Sequence, residues 1–462
     1  MFDQRTTSGS MFARRSRLPA RVDRRSLPIH RRHAIAAAMS TGIGLCAPNP
    51  PRTIADDSSD AAPSIDRSRA RGMLMGSIVG DAWGGPIEFV DVQQTHRELF
   101  DRSTDELLSR TIDQVDPSVL TLLSYERFRP QMAPYGHWRD RAPAGTVTDD
   151  TRLKHLLCEC FKRNSPRQGS KPPSAHDIAE TFLADVFEHP MADEWLAEYR
   201  RGCRGLLQRD GGPNPPDDTA SNDTAPDDTA PDDTKPDAIP PEYLWGGVSN
   251  CSGQMMLTPI AITAAASRWS PEQTYRYVDS IAFFDAPPAR DLIAGLVAGL
   301  SELIKPNGET STQRRVATLR ATMIQTDPHH LAKTPFIGRQ LTRWIELAES
   351  IAHDADGNLG RWVKDLHDRG KPRYYWDAHF TFVAAWSALV LARWKPMSAF
   401  VAIAAMGYDT DSYAQLAAAI AGAVLGDQWI PNDWIETIRG TMANDFQSDP
   451  ETWINTFARG AV

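Results

Sequence analysis

Apolar residues recur three and four positions apart through most of this chain, and this spacing constrains its fold more than any other feature. In "DDTRLKHLLCECF" the apolar set is Leu153, Leu156, Leu157 and Cys160, and "ARDLIAGLVAGLSELI" and "QLAAAIAGAVLG" repeat the pattern. "HFTFVAAWSALVLARW" is apolar on nearly every face, which is typical of a helix at the centre of a core. Alternating strand patterns are scarce. The sequence therefore predicts an all-α fold, with one compact multi-helix domain over residues 69–462.

Composition excludes several classes of protein. The net charge of −9 and the absence of a basic stripe in the body of the chain make nucleic acid an unsuitable partner. No uncharged run reaches the roughly 20 apolar residues that a membrane-spanning helix needs, so we expect no stable membrane span. The five cysteines lack C-x-x-C spacing, and their odd number argues against a disulfide framework. Cys158 and Cys160 are two apart in a predicted helix and point to different faces, so we expect them to be ordinary buried thiols.

Residues 1–68 differ from the rest and are excluded from the predicted fold. The first fifty residues contain nine arginines and no lysine. Arg31 and Arg32 precede an uncharged stretch, Ala34 to Ala47, and then a proline-rich break, a layout typical of a twin-arginine export signal. A disordered basic tail, or an upstream start codon, fits the same residues. Export and a cytoplasmic location therefore both remain open.

Residues 212–241 form a second segment of unusual composition. The unit "APDDT" is repeated in tandem, and eight aspartates accompany one lysine. With almost no apolar side chains to bury, this segment is predicted to be a disordered insertion in the helical domain.

Two acids and a hydroxyl stand at the start of the late helix in "GYDTDSYAQLAAAIAGAVLG". Asp409, Asp411 and Ser412 follow Gly407, which permits a tight backbone path. A helix cap needs one such side chain rather than three. Two neighbouring carboxylates repel each other unless a cation lies between them, so this cluster indicates a metal site.

The segment "GTVTDDTRLKHLL" has the same arrangement. Thr148, Asp149 and Asp150 precede an amphipathic helix. Simple N-capping by Thr148 with acids in the first turn is the alternative explanation. All six side chains of the two clusters offer hard oxygen ligands, which suit Mg²⁺ or Mn²⁺ and do not suit zinc.

A third segment, "RGMLMGSIVGDAWGGPIEFV", is rich in glycine and small residues. Such a helix allows another backbone to approach closely. The segment carries Asp81 and ends near Glu88, which is either a surface residue or a carboxylate directed at a metal site.

These three segments, "GSIVGDAWGGPIEF", "GTVTDDTRL" and "GYDTDSYAQLAAAIAGAVLG", together resemble the ADP-ribosylglycohydrolase family over about residues 69–440. The resemblance implies a compact all-α fold with a binuclear Mg²⁺ centre, in which Mn²⁺ is also acceptable. It implies two ligand sets, Thr148, Asp149 and Asp150 in one, and Asp409, Asp411 and Ser412 in the other.

The resemblance also implies catalytic roles and a reaction. Glu88 matches the acid near the metals and the scissile bond, and Asp81 matches a structural aspartate. Together with Glu88, Asp409 and Asp411 would stabilise positive charge at the anomeric carbon, and one of the three would take the proton of a metal-activated water. The expected substrate is an ADP-ribosylated protein or a small ribosyl conjugate, cleaved at its N- or O-glycosidic bond.

The predicted substrate pocket departs from the family. Gly253, Gln254, Met255 and Asp285 are the predicted substrate-binding residues, but Met256 stands where the family has arginine, and Asp285 where it often has histidine. A different nucleotide-sugar substrate therefore stays open, as does a non-catalytic relative of the family.

Some conspicuous residues have simpler interpretations. His155 is interpreted as a packing or surface residue, and the tryptophans as core residues by default. The stretch with Tyr374, Tyr375 and Trp376 is our candidate for an aromatic wall facing the substrate.

Overall fold

The computed structural model describes residues 65–128, 142–164, 171–184, 193–209, 238–328 and 341–459. Most of two predicted segments lies outside these residues. These parts are residues 1–64 of the basic region predicted for 1–68, and residues 212–237 of the insertion predicted for 212–241.

Eighteen α-helices make up the described parts of the chain. The first nine are α1 (Arg67–Gly84), α2 (Val92–Phe100), α3 (Thr104–Leu108), α4 (Asp149–Arg163), α5 (Ala175–Leu183), α6 (Asp193–Arg209), α7 (Ser252–Met256), α8 (Ile260–Ala266) and α9 (Pro271–Ile281). The others are α10 (Pro287–Ile304), α11 (Thr312–Thr326), α12 (Leu341–Ala355), α13 (Leu359–Gly370), α14 (Ala378–Leu391), α15 (Pro396–Met406), α16 (Thr410–Leu425), α17 (Asn432–Asp445) and α18 (Pro450–Arg459).

Short 3₁₀ turns complete the secondary structure at Gly85–Ile87, Ile112–Gln114, Pro117–Val119, Tyr125–Arg127 and Pro241–Gly246. Within the described ranges, strand pairing is limited to one isolated bridge between Thr111 and Asn358. The all-α prediction is confirmed.

The core is built around helices that are buried on every side. Every residue of α14 except Val390 is buried, and every residue of α16 except Leu425 is buried. Helix α14 packs against α12, α15 and α16. The nearly uniform apolar character of the α14 sequence predicted this central position, and the structure confirms it.

Helices α1 and α16 are antiparallel, with their backbones in direct contact. Glycines at every fourth position of α1 face α16, namely Gly72, Gly76, Gly80 and Gly84. A Cβ at Gly80 would lie 2.3 Å from the carbonyl oxygen of Ala414, and one at Gly84 would lie 2.5 Å from the Cα of Asp411. Real Cβ atoms do not approach backbone atoms this closely, so the contact requires glycine. The predicted close backbone approach is confirmed.

The cysteines, the end of the predicted insertion and the lengths of the helices bear on three further predictions. The four described cysteines, Cys158, Cys160, Cys203 and Cys251, are buried free thiols, which confirms the prediction for Cys158 and Cys160. Ile239, near the end of the predicted insertion, packs against the core. In the described part of the chain, no helix is both long enough and apolar enough to cross a membrane.

Replacing Gly80 by alanine should lower the free energy of unfolding by about 2 kcal/mol or more, because the added methyl group forces two packed backbones apart. Gly440 in α17 is the matched control, since it is helical and exposed and a Cβ added there would meet nothing within 4 Å. Gly440→Ala should raise stability by up to about 1 kcal/mol through helix propensity. Urea unfolding followed by circular dichroism measures both, and effects of the same sign would contradict the close packing.

Candidate metal centre

Helix α1 brings two acids to one end of the α1–α16 pair. Asp81 lies in the last turn of α1 and is completely buried. The 3₁₀ turn Gly85–Ile87 follows directly, and it presents Glu88, which is 8% exposed. Thr410 at the start of α16 donates a hydrogen bond from Oγ1 to the carbonyl oxygen of Gly84, 2.8 Å away. This bond joins the end of α1 to the start of α16.

Asp81 accepts the hydrogen bonds that organise the start of α4. Its Oδ1 accepts from the backbone N–H of Thr148 (2.9 Å) and from the Thr148 hydroxyl (2.7 Å), and its Oδ2 accepts from the N–H of Thr151 (2.9 Å). The capping contact of Thr148 itself, to the N–H of Asp150, is long at 3.4 Å. Asp81 thus performs much of the capping from another helix, and the carboxylates of Asp149 and Asp150 are not needed for it.

The acids at the start of α16 are also not used as a conventional cap. Asp409 occupies the N-cap position, yet its side chain makes no capping hydrogen bond. Asp411 Oδ1 accepts from the N–H of Ser412 at 2.9 Å, and Asp411 Oδ2 lies 3.0 Å from the Thr148 hydroxyl. This last contact joins the two predicted clusters, which are 263 positions apart in sequence.

The buried carboxylates form two groups that share Asp411. One group is Asp81, Asp150 and Asp411, and the other is Glu88, Asp409 and Asp411. Within each group the nearest oxygens all lie within 4.8 Å of one another. Asp150 is 0% exposed, and neither of its carboxylate oxygens has a hydrogen-bond partner among the described residues. Burying an unpaired carboxylate costs several kcal/mol, so this arrangement suits a bound cation.

Burial and mutual repulsion raise the pKa values of several acids in the site. Burial, and then repulsion from Asp411 and Asp81, raise the pKa of the half-buried Asp149 to about 8. Burial and the charge of Asp411 also raise the pKa of Asp150 and of Asp409 well above the usual range. A divalent cation among these oxygens would offset both effects by favouring the ionised carboxylates.

The backbone next to the acids adopts a conformation that side-chain-bearing residues rarely adopt. Phe89 follows Glu88 with φ of 50°, and Tyr408 precedes Asp409 with φ of 70°. The N–H of Phe89 donates to the carbonyl oxygen of Tyr408 at 2.8 Å. Left-handed backbone at non-glycine residues is often found at functional sites. Here it ties the segment carrying Glu88 to the segment carrying Asp409.

Half-buried aromatic rings lie beside this pair of segments. Tyr408 stacks on Tyr375 with ring centroids 3.6 Å apart, and Trp376 stacks on Tyr374 at 5.1 Å. Trp376 also meets Phe89 edge to face at 6.2 Å. The predicted aromatic wall therefore contacts Phe89 and Tyr408, the residues next to Glu88 and Asp409 in the sequence.

The predicted substrate-binding residues are tightly packed, and three of them lie in helix α7. Asp285 accepts a hydrogen bond from the N–H of Gly253 at 3.0 Å, and a Cβ at Gly253 would lie 2.0 Å from Asp285 Oδ2. Burial raises the pKa of Asp285 to about 7, and the Gly253 hydrogen bond opposes that shift. The Gln254 amide donates to the carbonyl oxygen of Ala378 at 2.7 Å. Met255 and Met256 are buried in the core. The predicted substrate-binding residues are therefore already engaged in hydrogen bonds or packing contacts within the protein.

Two neighbours of the acids were not singled out by the sequence. Cys251 Sγ lies 3.7 Å from Ser412 Oγ and 4.0 Å from Asp409 Oδ2. Lys154 is completely buried, and its position four residues after Asp150, on the same helix face, was the available signal. Burial lowers the pKa of Lys154, whereas the surrounding carboxylates oppose that change.

His155 and Trp83 pack against other aromatic side chains. His155 is buried, with its ring 5.1 Å from Phe446 and 5.5 Å from Trp453, which confirms a packing role. Trp83 is buried against Phe400 at 4.7 Å. Neither lies among the acid groups.

Comparison with known protein families gives a match over most of the chain. A model of the ADP-ribosylglycohydrolase family matches residues 62–460. The chain belongs to the ADP-ribosylglycohydrolase family. A solved structure named "ADP-ribosylglycohydrolase-related protein complex" is similar over 86% of this chain and 99% of that chain, with 16% identity and a TM-score of 0.44. No curated protein matches the chain.

Membership in the ADP-ribosylglycohydrolase family indicates glycohydrolase activity on ADP-ribosyl-like substrates. The family is typically metal-dependent, and the buried acid groups of this chain provide oxygen ligands that could bind metal ions.

The Asp150 carboxylate, whose oxygens have no hydrogen-bond partner among the described residues, generates a testable prediction. Asp150→Asn should leave the metal-free protein as stable as wild type, or more stable, because it removes a buried charge repelled by Asp411. In wild type, Mn²⁺ at a hundredfold excess over Kd should add about 2.7 kcal/mol to the free energy of unfolding and thereby raise Tm. The same substitution should abolish this rise in Tm. Differential scanning calorimetry with and without Mn²⁺ measures both.

Asp433→Asn is the matched control, because Asp433 is an exposed acid in the first turn of α17. It should leave the Mn²⁺-dependent shift intact. Retention of that shift in Asp150→Asn would exclude Asp150 as a ligand.

Proposed function

We propose that this protein is a Mg²⁺-dependent hydrolase that cleaves the glycosidic bond of ADP-ribosyl, or related ribosyl, conjugates with an activated water. Mn²⁺ fits the same ligands. The observation that carries the proposal is the pair of buried acid groups sharing Asp411, with the Asp150 carboxylate unpartnered among the described residues. Residues 69–462 would form the catalytic domain.

The donor set supports two ions. Thr148, Asp149 and Asp150 would contribute to one ion, and Asp409, Asp411 and Ser412 to the other. Because Asp411 belongs to both buried acid groups, it is the natural ligand to be shared between them. Carboxylate and hydroxyl oxygens favour Mg²⁺ and Mn²⁺ over softer metals. When bound, such ions would polarise a water molecule and orient the ribose hydroxyls.

The remaining chemistry is assigned to Glu88 and to two of the proposed ligands, Asp409 and Asp411. Departure of the leaving group creates positive charge at the anomeric carbon, which nearby carboxylates stabilise. Glu88 is buried and close to Asp409, and each raises the energy of the other's negative charge. Such a carboxylate readily accepts a proton, so Glu88, Asp409 or Asp411 would take the proton of the attacking water.

The aromatic wall is the proposed contact for the planar part of the substrate. Trp376 and Tyr374 are half-buried and stacked together, and Trp376 touches Phe89 next to Glu88. Aromatic side chains that retain exposed surface at a catalytic cleft are suited to stacking on a nucleobase.

A different ribosyl substrate is the second candidate, and the packing of two residues favours it. Met256 is completely buried, and Asp285 is engaged with the backbone of Gly253. Neither position offers a cation for a phosphate group. A non-catalytic relative is less well supported, because all six predicted ligand positions retain oxygen donors.

The first test is calorimetric titration of the full chain with Mn²⁺, then with ADP-ribose, together with hydrolysis of ADP-ribosyl-arginine and ADP-ribosyl-serine. We expect metal uptake and metal-dependent turnover. Metal uptake without ADP-ribose binding would favour the different ribosyl substrate. The absence of metal uptake would overturn the proposal and favour the non-catalytic relative.

The double variant Asp409→Asn, Asp411→Asn should lose at least about a thousandfold in kcat, since it removes two ligands and the charge facing the anomeric carbon. Its helical circular dichroism should match wild type. The matched control is Asp105→Asn, Asp433→Asn, which changes two exposed acids in first turns of helices. Wild-type turnover in the first variant would refute the metal mechanism.

Trp376→Ala should weaken ADP-ribose binding by about tenfold or more, the usual loss when an aromatic ring no longer stacks on a base. Binding of ribose 5-phosphate, which has no base, serves as the control and should not change. Calorimetry on the Mn²⁺-loaded protein measures both ligands. Equal weakening of the two would indicate a structural role for Trp376 instead.

A further inference from the structure

Lys154 is a buried cation next to the acid groups. It lies on α4 one turn after Asp150 and is 0% exposed. Electrostatic attraction links its ammonium group to four carboxylates, Asp150, Asp81, Asp149 and Asp411. A lysine is almost never fully buried unless it is paired, so its presence at this position requires an explanation.

The ammonium group is held in place by neutral acceptors. Lys154 Nζ donates to the carbonyl oxygen of Asp150 at 3.0 Å and to Oε1 of Gln415 at 3.1 Å. The hydroxyl of Ser77 donates to the same Gln415 oxygen at 2.8 Å. Gln415 lies on α16, and Ser77 lies on α1. The three helices that carry the acids therefore also position this one cation.

The groups that hold the ammonium group in place differ from the groups on which its charge acts. The two hydrogen bonds determine where Nζ lies, but both acceptors are uncharged. The positive charge consequently acts on the group of carboxylates as a whole, rather than being neutralised within a single short ion pair.

We propose that Lys154 is a built-in counter-ion that sets the metal affinity of the centre. It offsets part of the negative charge when no metal is bound, and it repels a divalent cation that binds the same carboxylates. The centre would therefore take up metal more weakly, and release it more easily, than an otherwise identical centre with a neutral residue at position 154. The inference rests on the proposed metal centre and adds a control on its occupancy.

The sign of the effect follows from Coulomb's law. In the metal-free protein, the ammonium group attracts the carboxylates and stabilises the fold. In the metal-loaded protein, the bound cation offsets part of the negative charge, so repulsion between the metal and the ammonium group opposes that attraction. Removing the charge should therefore destabilise the metal-free state and favour metal binding.

The test is Lys154→Met, which keeps the length of the side chain and removes its charge. We expect Mn²⁺ to bind about tenfold more tightly in calorimetry. We also expect a lower Tm without metal and a larger rise in Tm with saturating Mn²⁺ than in wild type. Ser77→Ala is the control, because it removes a hydrogen bond to Gln415 and changes no charge, so its Mn²⁺ affinity should equal that of wild type.

Gln415→Glu provides a second variant in case Lys154→Met does not fold. It keeps the acceptor oxygen of Lys154 and adds a negative charge that neutralises the ammonium group, so it should also tighten Mn²⁺ binding. A purely structural lysine predicts the opposite pattern, weaker binding in Lys154→Met and unchanged binding in Gln415→Glu.

The outcomes separate this inference from the proposed function. Uptake of Mn²⁺ by wild type, with unchanged or weaker binding in both variants, would overturn the counter-ion role and leave the metal centre standing. Absence of Mn²⁺ uptake by wild type would overturn the metal centre, and the counter-ion role with it.

Discussion

The direct backbone contact between α1 and α16 is the constraint on which the candidate site depends. Glycines spaced by four residues let the two helices approach until a Cβ at Gly80 would lie 2.3 Å from a carbonyl oxygen. At the end of this contact, Gly84 touches the backbone of Asp411, and Thr410 bonds to Gly84. Asp81 and Glu88 are thereby held against the start of α16. A larger residue in the glycine row would separate the helices and with them the two groups of acids.

Holding so many carboxylates together creates an electrostatic cost that the structure offsets in different ways. Asp81 is satisfied by hydrogen bonds from the first turn of α4, so its charge serves the fold. Lys154 contributes one positive charge from the same helix. Asp150 is attracted by Lys154, but neither of its carboxylate oxygens has a hydrogen-bond partner within the described residues. This uneven distribution distinguishes acids that build the scaffold from acids suited to hold a cation.

The two halves of the candidate site differ in how closely they follow the family resemblance. The acid side retains an oxygen donor at every predicted position, and Asp150, Asp409 and Asp411 lie in the two acid groups that share Asp411. On the other side, Met256 and Asp285 occupy positions where a cationic or imidazole side chain was expected, and both are enclosed by the protein. An aromatic wall adjoins Glu88 and Asp409 through Phe89 and Tyr408. The chain therefore combines clustered acids with a substrate side that departs from the family pattern.

The sequence by itself determined the helical class, the central place of α14, and the three segments that carry the acids. These features could be predicted because periodicity, helix starts and glycine spacing are local properties of neighbouring residues. Only the tertiary structure decided which acids meet. Asp81 caps α4 from another helix, and Thr148 reaches Asp411 across 263 positions. The burial of Lys154 and the left-handed backbone at Tyr408 likewise depend on long-range packing. Local patterns do not encode such contacts, since each arises from the approach of segments that are distant in the chain.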